Sequence, residues 1–178
     1  VRSIELWGRE IAIGPTQFTT LHGLFVLVLL PLFISGTRLL RQRQAAPSTL
    51  IMMGWGYVAT AAAFVLIAAA GLHAGDTARV SPAWLTGCYV LLSIAELLLS
   101  PFGMSLVTQI APPHRTGQAV GLWFTAAAVG NVAAGGIGLL WGRWPNHRYF
   151  ALLAFASLGA AVALFTCLHR LEVFLRQL

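Results

Sequence analysis

One carboxylate lies inside an apolar stretch long enough to cross a bilayer, and the chemistry of the sequence is concentrated there. Glu96 lies in an apolar run that extends from near Trp84 to Ile110. A charge near the middle of a membrane costs several kcal/mol unless it is paired, hydrated or protonated. Glu96 is therefore a candidate functional residue, either as a group that binds a cation or as a structural carboxylate that fixes helix packing.

Other polar side chains recur close to the helical face of Glu96. They are Tyr89, Ser93 and Ser100. Pro101 lacks a backbone donor and Gly103 is small, which weakens the helix just past the carboxylate. Interrupted helices beside an ionisable group at mid-membrane are typical of transporter binding sites.

The sequence offers Glu96 no arginine partner, because none of its eleven arginines falls inside an apolar run. We therefore expect the partner cation to lie outside this chain. His22, early in the first apolar run, is interpreted as an interface residue, with proton transfer as the alternative. No serine–histidine–acid arrangement, phosphate loop or HExxH motif is recognisable. The sequence thus predicts no enzyme site, no metal and no cofactor.

Composition indicates a membrane protein: 58% of the 178 residues are hydrophobic and only 9% are charged, against about 25% charged in soluble domains. The net charge of +6 comes from arginines, most of which lie between apolar runs, where they set topology. We therefore expect a lipid bilayer and no nucleic acid as partner. Cys88 and Cys167 lie in apolar runs without metal or redox spacing, which favours a packing role.

Five apolar runs predict an all-α protein with five transmembrane helices, at about 16–36, 49–71, 83–110, 118–140 and 148–168. Residues 1–15 are predicted to form an extracytoplasmic loop. The tail after 168 is predicted to continue as an interfacial, cytoplasmic helix. The sequence leaves open the roles of three acids in the polar segments: Glu5, Glu10 and Asp76.

Arginine placement predicts the orientation. One side of the membrane holds Arg38, Arg41, Arg43, Arg115, Arg170 and Arg176; the other holds Arg2, Arg9, Arg79, Arg143 and Arg148. Three of the first group crowd directly after the first span, and cytoplasmic loops carry the excess of arginine. We therefore place that side and the C-terminus in the cytoplasm, and the protein in the plasma or inner membrane.

The fourth span carries a ladder of small residues, each four apart: Ala126, Gly130, Ala134 and Gly138. Such a ladder lets another helix backbone approach closely, so we predict a packing role. Asn131 in the same span is expected to form a hydrogen bond with a neighbouring helix. Trp123 is either an interfacial anchor or the wall of a substrate cavity.

These residues resemble a known family. The run ELLLSPFGMS at 96–105, with Trp84 and Tyr89 before it, resembles the tenth helix of the proton-dependent oligopeptide transporters, a branch of the major facilitator superfamily. Residues 111–124 and 128–131 are similar to the loop into the eleventh helix and its continuation. Residues 15–25 are similar to the start of the eighth helix, although this chain has His22-Gly23 where the family usually has Asn-Pro.

The resemblance implies that the five spans are helices eight to twelve of a twelve-helix transporter, so that the chain is a fragment. The N-terminal bundle, with its E-x-x-E-R motif and its fourth-helix lysine, would then be absent, together with the seventh helix. Glu96 is implied to bind the amino terminus of a peptide or that lysine. Ser100 would line the same pocket and Trp123 would form a cavity wall. A proton competing for Glu96 would make it the coupling residue.

The interpretation is the C-terminal part of a proton-coupled di- and tripeptide symporter that works by alternating access. Its substrate-binding candidates are His22, Tyr89, Glu96, Ser100 and Trp123. One alternative keeps the fold and carries another solute, such as nitrate. Another is a non-transporting membrane scaffold or subunit, in which Glu96 is a packing contact. An intramembrane enzyme would need a second catalytic group facing Glu96, and the sequence suggests none.

Overall fold

A computed structural model of the chain describes residues 2–6, 9–13, 15–43, 47–74 and 81–175. Two short strands, β1 (Arg2–Leu6) and β2 (Arg9–Ile13), precede the helices. The helices are α1 (Pro15–Gln42), α2 (Thr49–Ala74), α3 (Pro82–Ile110), α4 (Thr116–Gly138) and α5 (Asn146–Leu175). Within the described residues, five helices are long and apolar enough to cross a membrane. The predicted all-α membrane fold with five spans is confirmed.

Prolines and a serine cap account for several helix ends. α1 begins at Pro15, whose fixed φ and missing N–H suit the first turn of a helix. α3 begins after Ser81, whose hydroxyl oxygen accepts a hydrogen bond from the backbone N–H of Ala83 at 3.3 Å. It ends at Ile110, and a 3₁₀ turn over Pro113–Arg115 leads into α4. Prolines therefore lie at the start of α1, at the start of α3 and between α3 and α4.

Two features differ from the prediction: the end of α1 and the effect of Pro101. α1 continues through the arginine cluster to Gln42, whereas α5 continues to Leu175 as the predicted tail helix. The backbone hydrogen bonds of a helix do not require apolar side chains, so both helices extend past their apolar runs. Pro101 does not interrupt α3, which stays helical to Ile110. The expected weakening produces no break, because proline removes only one backbone donor of the ladder.

The N-terminal segment forms an antiparallel hairpin where the sequence predicts a loop. The register pairs Ile4 with Ile11 and Glu5 with Glu10. The mixture of charged and polar residues favoured a loop, but Ile11 and Ile13 alternate in β2, and Ile4 of β1 pairs with Ile11. Among the described residues, this hairpin forms the sheet, and the other β-structure is a single isolated bridge.

α2 is the central helix of the described core, with α3 and α5 packed against it. Its buried side chains are mostly small: Ala61, Ala63, Ala68 and Ala70. Two glycines bring the neighbours closer still. A side-chain carbon at Gly54 would collide with the ring of Phe165 on α5, and one at Gly56 would collide with Leu99 on α3. Small residues at helix contacts are what packing in lipid requires, since lipid tails supply no hydrophobic drive.

α1 and α4 lie at the periphery of this core. α1 packs against α3, and α4 also contacts α3. No residue of α4 is buried, and large apolar side chains such as Leu122 and Val132 are exposed on it. α1 and α4 therefore leave much of their apolar surface outside the described core, and the functional candidates lie on α3 and where these two helices meet it.

Candidate functional site

Packing of α1 on α3 brings His22 to Glu96. The imidazole Nε2 of His22 lies 3.3 Å from the carboxylate Oε2 of Glu96. The His22 side chain is 23% exposed and the Glu96 side chain 52% exposed. The partner cation that the sequence places outside this chain stays a prediction. The structure adds a neighbour of Glu96 inside the chain, His22, because the rotation and crossing of two helices that bring a histidine to the carboxylate cannot be read from residue order.

Ser93 contributes to the position along the helix axes at which α1 and α3 meet. It is completely buried, and its hydroxyl donates a hydrogen bond to the backbone oxygen of Tyr89 at 2.8 Å. The same hydroxyl lies 3.4 Å from the backbone oxygen of His22 on α1. A buried hydroxyl shared between two carbonyl oxygens is a specific contact, because leaving it unmade is costly. Ser93 therefore positions the backbone that carries His22.

The aromatic ring of Tyr89 completes the surroundings of His22. The two rings contact edge to face, with centroids 5.9 Å apart and an interplanar angle of 76°. Three of the predicted binding residues, His22, Tyr89 and Glu96, are thus brought together. Ser100 is exposed one helical turn beyond Glu96 on the same face.

Trp123 reaches α3 from α4 and covers Gly103. A side-chain carbon at Gly103 would collide with the six-membered ring of Trp123, so the ring lies directly on the helix backbone. Gly103 is seven residues after Glu96, which is about two turns, or about 10 Å, along one face. The structure therefore places Trp123 at the far end of the face that begins at Glu96 and passes Ser100.

These observations describe a half-exposed carboxylate at one end of a helix face and an indole ring at the other. A sequence model of the POT family matches residues 2–146. The chain belongs to the POT family. The family is one of transporters, so the membership agrees with the expectation that the chain is not an enzyme. The five membrane-length helices and this membership make it part of a multi-pass membrane protein.

Individual POT relatives agree with the family match. The chain is 37% identical over 123 residues to the peptide transporter YePEPT of Yersinia enterocolitica, covering 68% of this chain and 24% of that protein. It is 28% identical over 158 residues to a di-/tripeptide transporter of Lactococcus lactis, covering 89% of this chain and 31% of the relative. The chain therefore spans about a quarter to a third of the curated relatives that it matches.

Solved POT structures have the same fold. A mutant of the peptide transporter POT crystallised with sulfate superimposes with a TM-score of 0.81 at 27% sequence identity, covering 93% of this chain and 32% of that one. The described helices thus reproduce the arrangement found in about a third of a POT transporter. This likeness confirms the predicted fold, which is that of a major facilitator superfamily helix bundle.

Among the described residues, no helix packs on the small-residue ladder of this POT chain. Ala126, Gly130 and Ala134 are exposed, and Gly138 is partly exposed. A side-chain carbon at Gly130 or Gly138 would meet nothing within 4 Å. Asn131 is exposed on the same helix. The predicted packing role of the ladder and of Asn131 stays a prediction.

Reasoning from the POT sequence alone missed two site features, the cross-helix hydrogen bond of Ser93 and the seat that Gly103 provides for Trp123. A signal existed for both, since Ser93 lies three residues before Glu96 and Gly103 seven residues after it.

The described residues contain no group of three or more histidines, cysteines, aspartates or glutamates that could hold a metal. The expectation of no cofactor other than a proton stays a prediction.

Proposed function

We propose that this chain is the C-terminal part, helices eight to twelve, of a proton-coupled di- and tripeptide symporter. The observation that carries the proposal is Glu96, a carboxylate that stays 52% exposed in the middle of an apolar helix. It is presented on a surface of a family-matched segment, where a cationic ligand can reach it.

The amino terminus of a peptide is the cation that suits this carboxylate. An ammonium group donates charge-assisted hydrogen bonds to a carboxylate, and these are about twice as strong as neutral ones. The face from Glu96 to the Trp123 seat is about 10 Å long. Two or three extended residues span about 7–10 Å, so a di- or tripeptide fits along this face. Ser100, exposed one helical turn from Glu96, offers a hydroxyl group along the same face, and the ring of Tyr89 lies beside His22 near the amino end.

Coupling follows from which cation neutralises Glu96. A proton, the peptide amine or a cationic side chain can each do so. A second bundle, which we place outside this chain at its N-terminal side, would supply the opposing wall and the lysine that the resemblance implies. Occupancy of Glu96 then biases the rocking of the two bundles, with the C-terminus in the cytoplasm of a plasma or inner membrane.

Glu96→Gln in the intact protein that carries this chain tests the proposal. We expect the variant to insert normally and to lose dipeptide uptake driven by a proton gradient, because glutamine can neither bind a proton nor pair with an amine. Glu172→Gln, which alters an acid after the last apolar run, is the matched control and should transport normally. Undiminished driven uptake by Glu96→Gln would refute the role of Glu96.

A structural role for Glu96 is the second candidate, and the contact with His22 is the observation that favours it. If Glu96 has only a packing role, Glu96→Gln should lower the melting temperature of the purified protein. Any loss of transport should then be proportional to the loss of folded protein. The transport role predicts lost uptake at normal protein level. Competition of uptake by dipeptides and by nitrate would separate peptide transport from transport of another solute.

A further inference from the structure

A cavity of about 300 Å³ lies between the end of α1, the start of α2 and α3. Its volume is at the lower end of the range for sites that bind small molecules. Its polar lining comes from Thr37 and Arg38 on α1 and from Thr49, the first residue of α2. Its apolar lining includes Ile34, Met52 and Phe102. One cavity thus offers a cation and hydroxyl groups next to apolar side chains.

The cavity lies at one boundary of the membrane. Arg38 is in the last turn of the first membrane-length span, Thr20–Leu40, and Thr49 begins the second, Thr49–His73. The phosphates of lipids lie just outside the hydrocarbon core, at the level where such spans end. The guanidinium of Arg38 can therefore reach lipid phosphates, while Ile34, one turn earlier on the same face, stays at the level of the acyl chains.

Contacts that do not involve Arg38 hold the walls of the cavity. The rings of Phe33 on α1 and Phe102 on α3 meet edge to face, with centroids 6.1 Å apart. Ser48 caps α2, since its hydroxyl oxygen accepts a hydrogen bond from the backbone N–H of Ile51 at 3.4 Å. The cavity is therefore formed by the packing of the chain itself, and the exposed Arg38 side chain is available to a ligand.

The charge around the cavity favours an anion. The helices that line it, α1, α2 and α3, contain a single acid, Glu96. Glu96 lies six residues before Phe102, or about 9 Å along α3, and contacts His22. Arg38 begins the run RLLRQR at 38–43, which adds two further arginines. The first turn of α2, where the helix dipole favours negative charge, borders the cavity as well.

We propose that this cavity binds the phosphate of an anionic phospholipid. Arg38 holds the phosphate through two parallel charge-assisted hydrogen bonds, a geometry that the planar guanidinium suits better than an ammonium group does. The hydroxyl of Thr49 donates to a phosphate oxygen. An acyl chain lies against Ile34, Met52 and Phe102.

A phospholipid fits this cavity better than free phosphate does, because apolar side chains continue the lining from the cation toward the hydrocarbon core. Basic pockets between transmembrane helices on the cytoplasmic side are typical sites for anionic lipid head groups, and this is the side that we propose to be cytoplasmic. The ligand is not the transported solute, so the inference goes beyond the proposed function. A bound lipid would join the end of α1 to the start of α2.

Arg38→Gln in the intact protein that carries this chain tests the proposal, with Arg43→Gln as the matched control. Both substitutions remove one exposed charge from the same cluster, but Arg43 does not line the cavity. The melting temperature of each purified protein in dodecyl maltoside is measured against increasing dioleoylphosphatidylglycerol. A ligand that binds the folded state raises this temperature as it saturates its site.

We expect phosphatidylglycerol to stabilise the wild type and Arg43→Gln at similar concentrations, within about twofold. Arg38→Gln should need about fivefold or more lipid for half of the full shift, which is the contribution of one arginine near a lipid surface. Arg38→Lys, which keeps the charge but loses the bidentate fork, should need about twofold or more, and it repeats the test if glutamine prevents folding. An equal lipid response of Arg38→Gln and Arg43→Gln would refute the site.

Two further ligands identify what binds. Dioleoylglycerol, which has the acyl chains without phosphate, and inorganic phosphate, which has no chains, should each stabilise the wild type less than phosphatidylglycerol does. A full effect of either one alone overturns the lipid proposal in favour of an apolar or a free-phosphate site. If Arg38→Gln lowers the melting temperature without lipid and leaves the lipid response unchanged, Arg38 contacts another part of the protein and the proposal fails. No sample contains peptide, so failure of this site and failure of the proposed function are separate results.

Discussion

Ser93 shows how one buried hydroxyl determines the geometry of the site. Its bond to Tyr89 stays within α3, as many membrane serine bonds do, but its second acceptor is the carbonyl of His22 on another helix. The side chain is completely buried. Removing the hydroxyl leaves the His22 carbonyl without this donor and frees α1 to shift relative to Glu96.

Ser93→Ala is therefore expected to lower the free energy of unfolding by about 1 kcal/mol, the usual contribution of a buried hydrogen bond. Ser157→Ala is the matched control, because the Ser157 hydroxyl donates to the backbone oxygen of Leu153 within its own helix at 2.9 Å. Melting temperatures in detergent measure both. An equal effect of the two substitutions would contradict the cross-helix role.

The seat of Trp123 makes a second prediction at the same scale. Gly103→Ala adds a carbon that collides with the indole ring, so the ring must move away from the helix face. We expect dialanine to bind about threefold or more weakly, with the protein still folded, since loss of one aromatic contact costs about 0.5–1.5 kcal/mol. Gly121→Ala, where an added carbon meets nothing within 4 Å, should bind normally. Unchanged binding by Gly103→Ala would exclude Trp123 from the peptide site.

At the scale of elements, α2 holds α3 and α5 together through small residues. The span positions of all five helices could be predicted from apolar runs, prolines and arginines, because bilayer thickness sets the length of each run. The contact of His22 with Glu96 could not be predicted, because the rotation and crossing angle of two helices depend on how their side chains pack together. The N-terminal hairpin was missed because five-residue strands carry too little alternation to outweigh their charges.

Gly56→Ala tests the close approach of α2 and α3. The added carbon would lie 2.6 Å from Cγ of Leu99, and such overpacking typically costs about 1–3 kcal/mol. Gly159→Ala on α5, where an added carbon meets nothing within 4 Å, should be neutral or stabilising because alanine favours helix more than glycine does. Thermal unfolding in detergent measures the two variants. A melting temperature for Gly56→Ala equal to or above the wild type would contradict the packing.

At the scale of the whole molecule, the exposed face of α4 is the part that the described residues leave uncovered. Its small residues line up on a helix without a buried residue, and the chain spans about a third or less of its relatives. The sequence predicts that another helix packs here, and the proposed second bundle is the element that would supply it.

Gly130→Leu tests this packing in the intact protein. Among the described residues, a side-chain carbon added at Gly130 meets nothing within 4 Å, so we expect this bundle by itself to tolerate a larger side chain there. If another helix backbone lies on Gly130, the larger side chain should lower both thermal stability and dipeptide uptake. Ala156→Leu, at an exposed position of α5, is the control and should have little effect. Normal stability and uptake for Gly130→Leu would mean that no helix packs on the ladder.

The measurement that tests the central claim most directly compares two ligands on two proteins. Dialanine and its N-acetylated form differ in the amine, and wild type and Glu96→Gln differ in the carboxylate. We expect acetylation to weaken binding to the wild type by about 10-fold or more, the value of a charge-assisted hydrogen bond, and to Glu96→Gln by less than about threefold. An equal loss in both proteins would show that the amine of the peptide is not bound by Glu96.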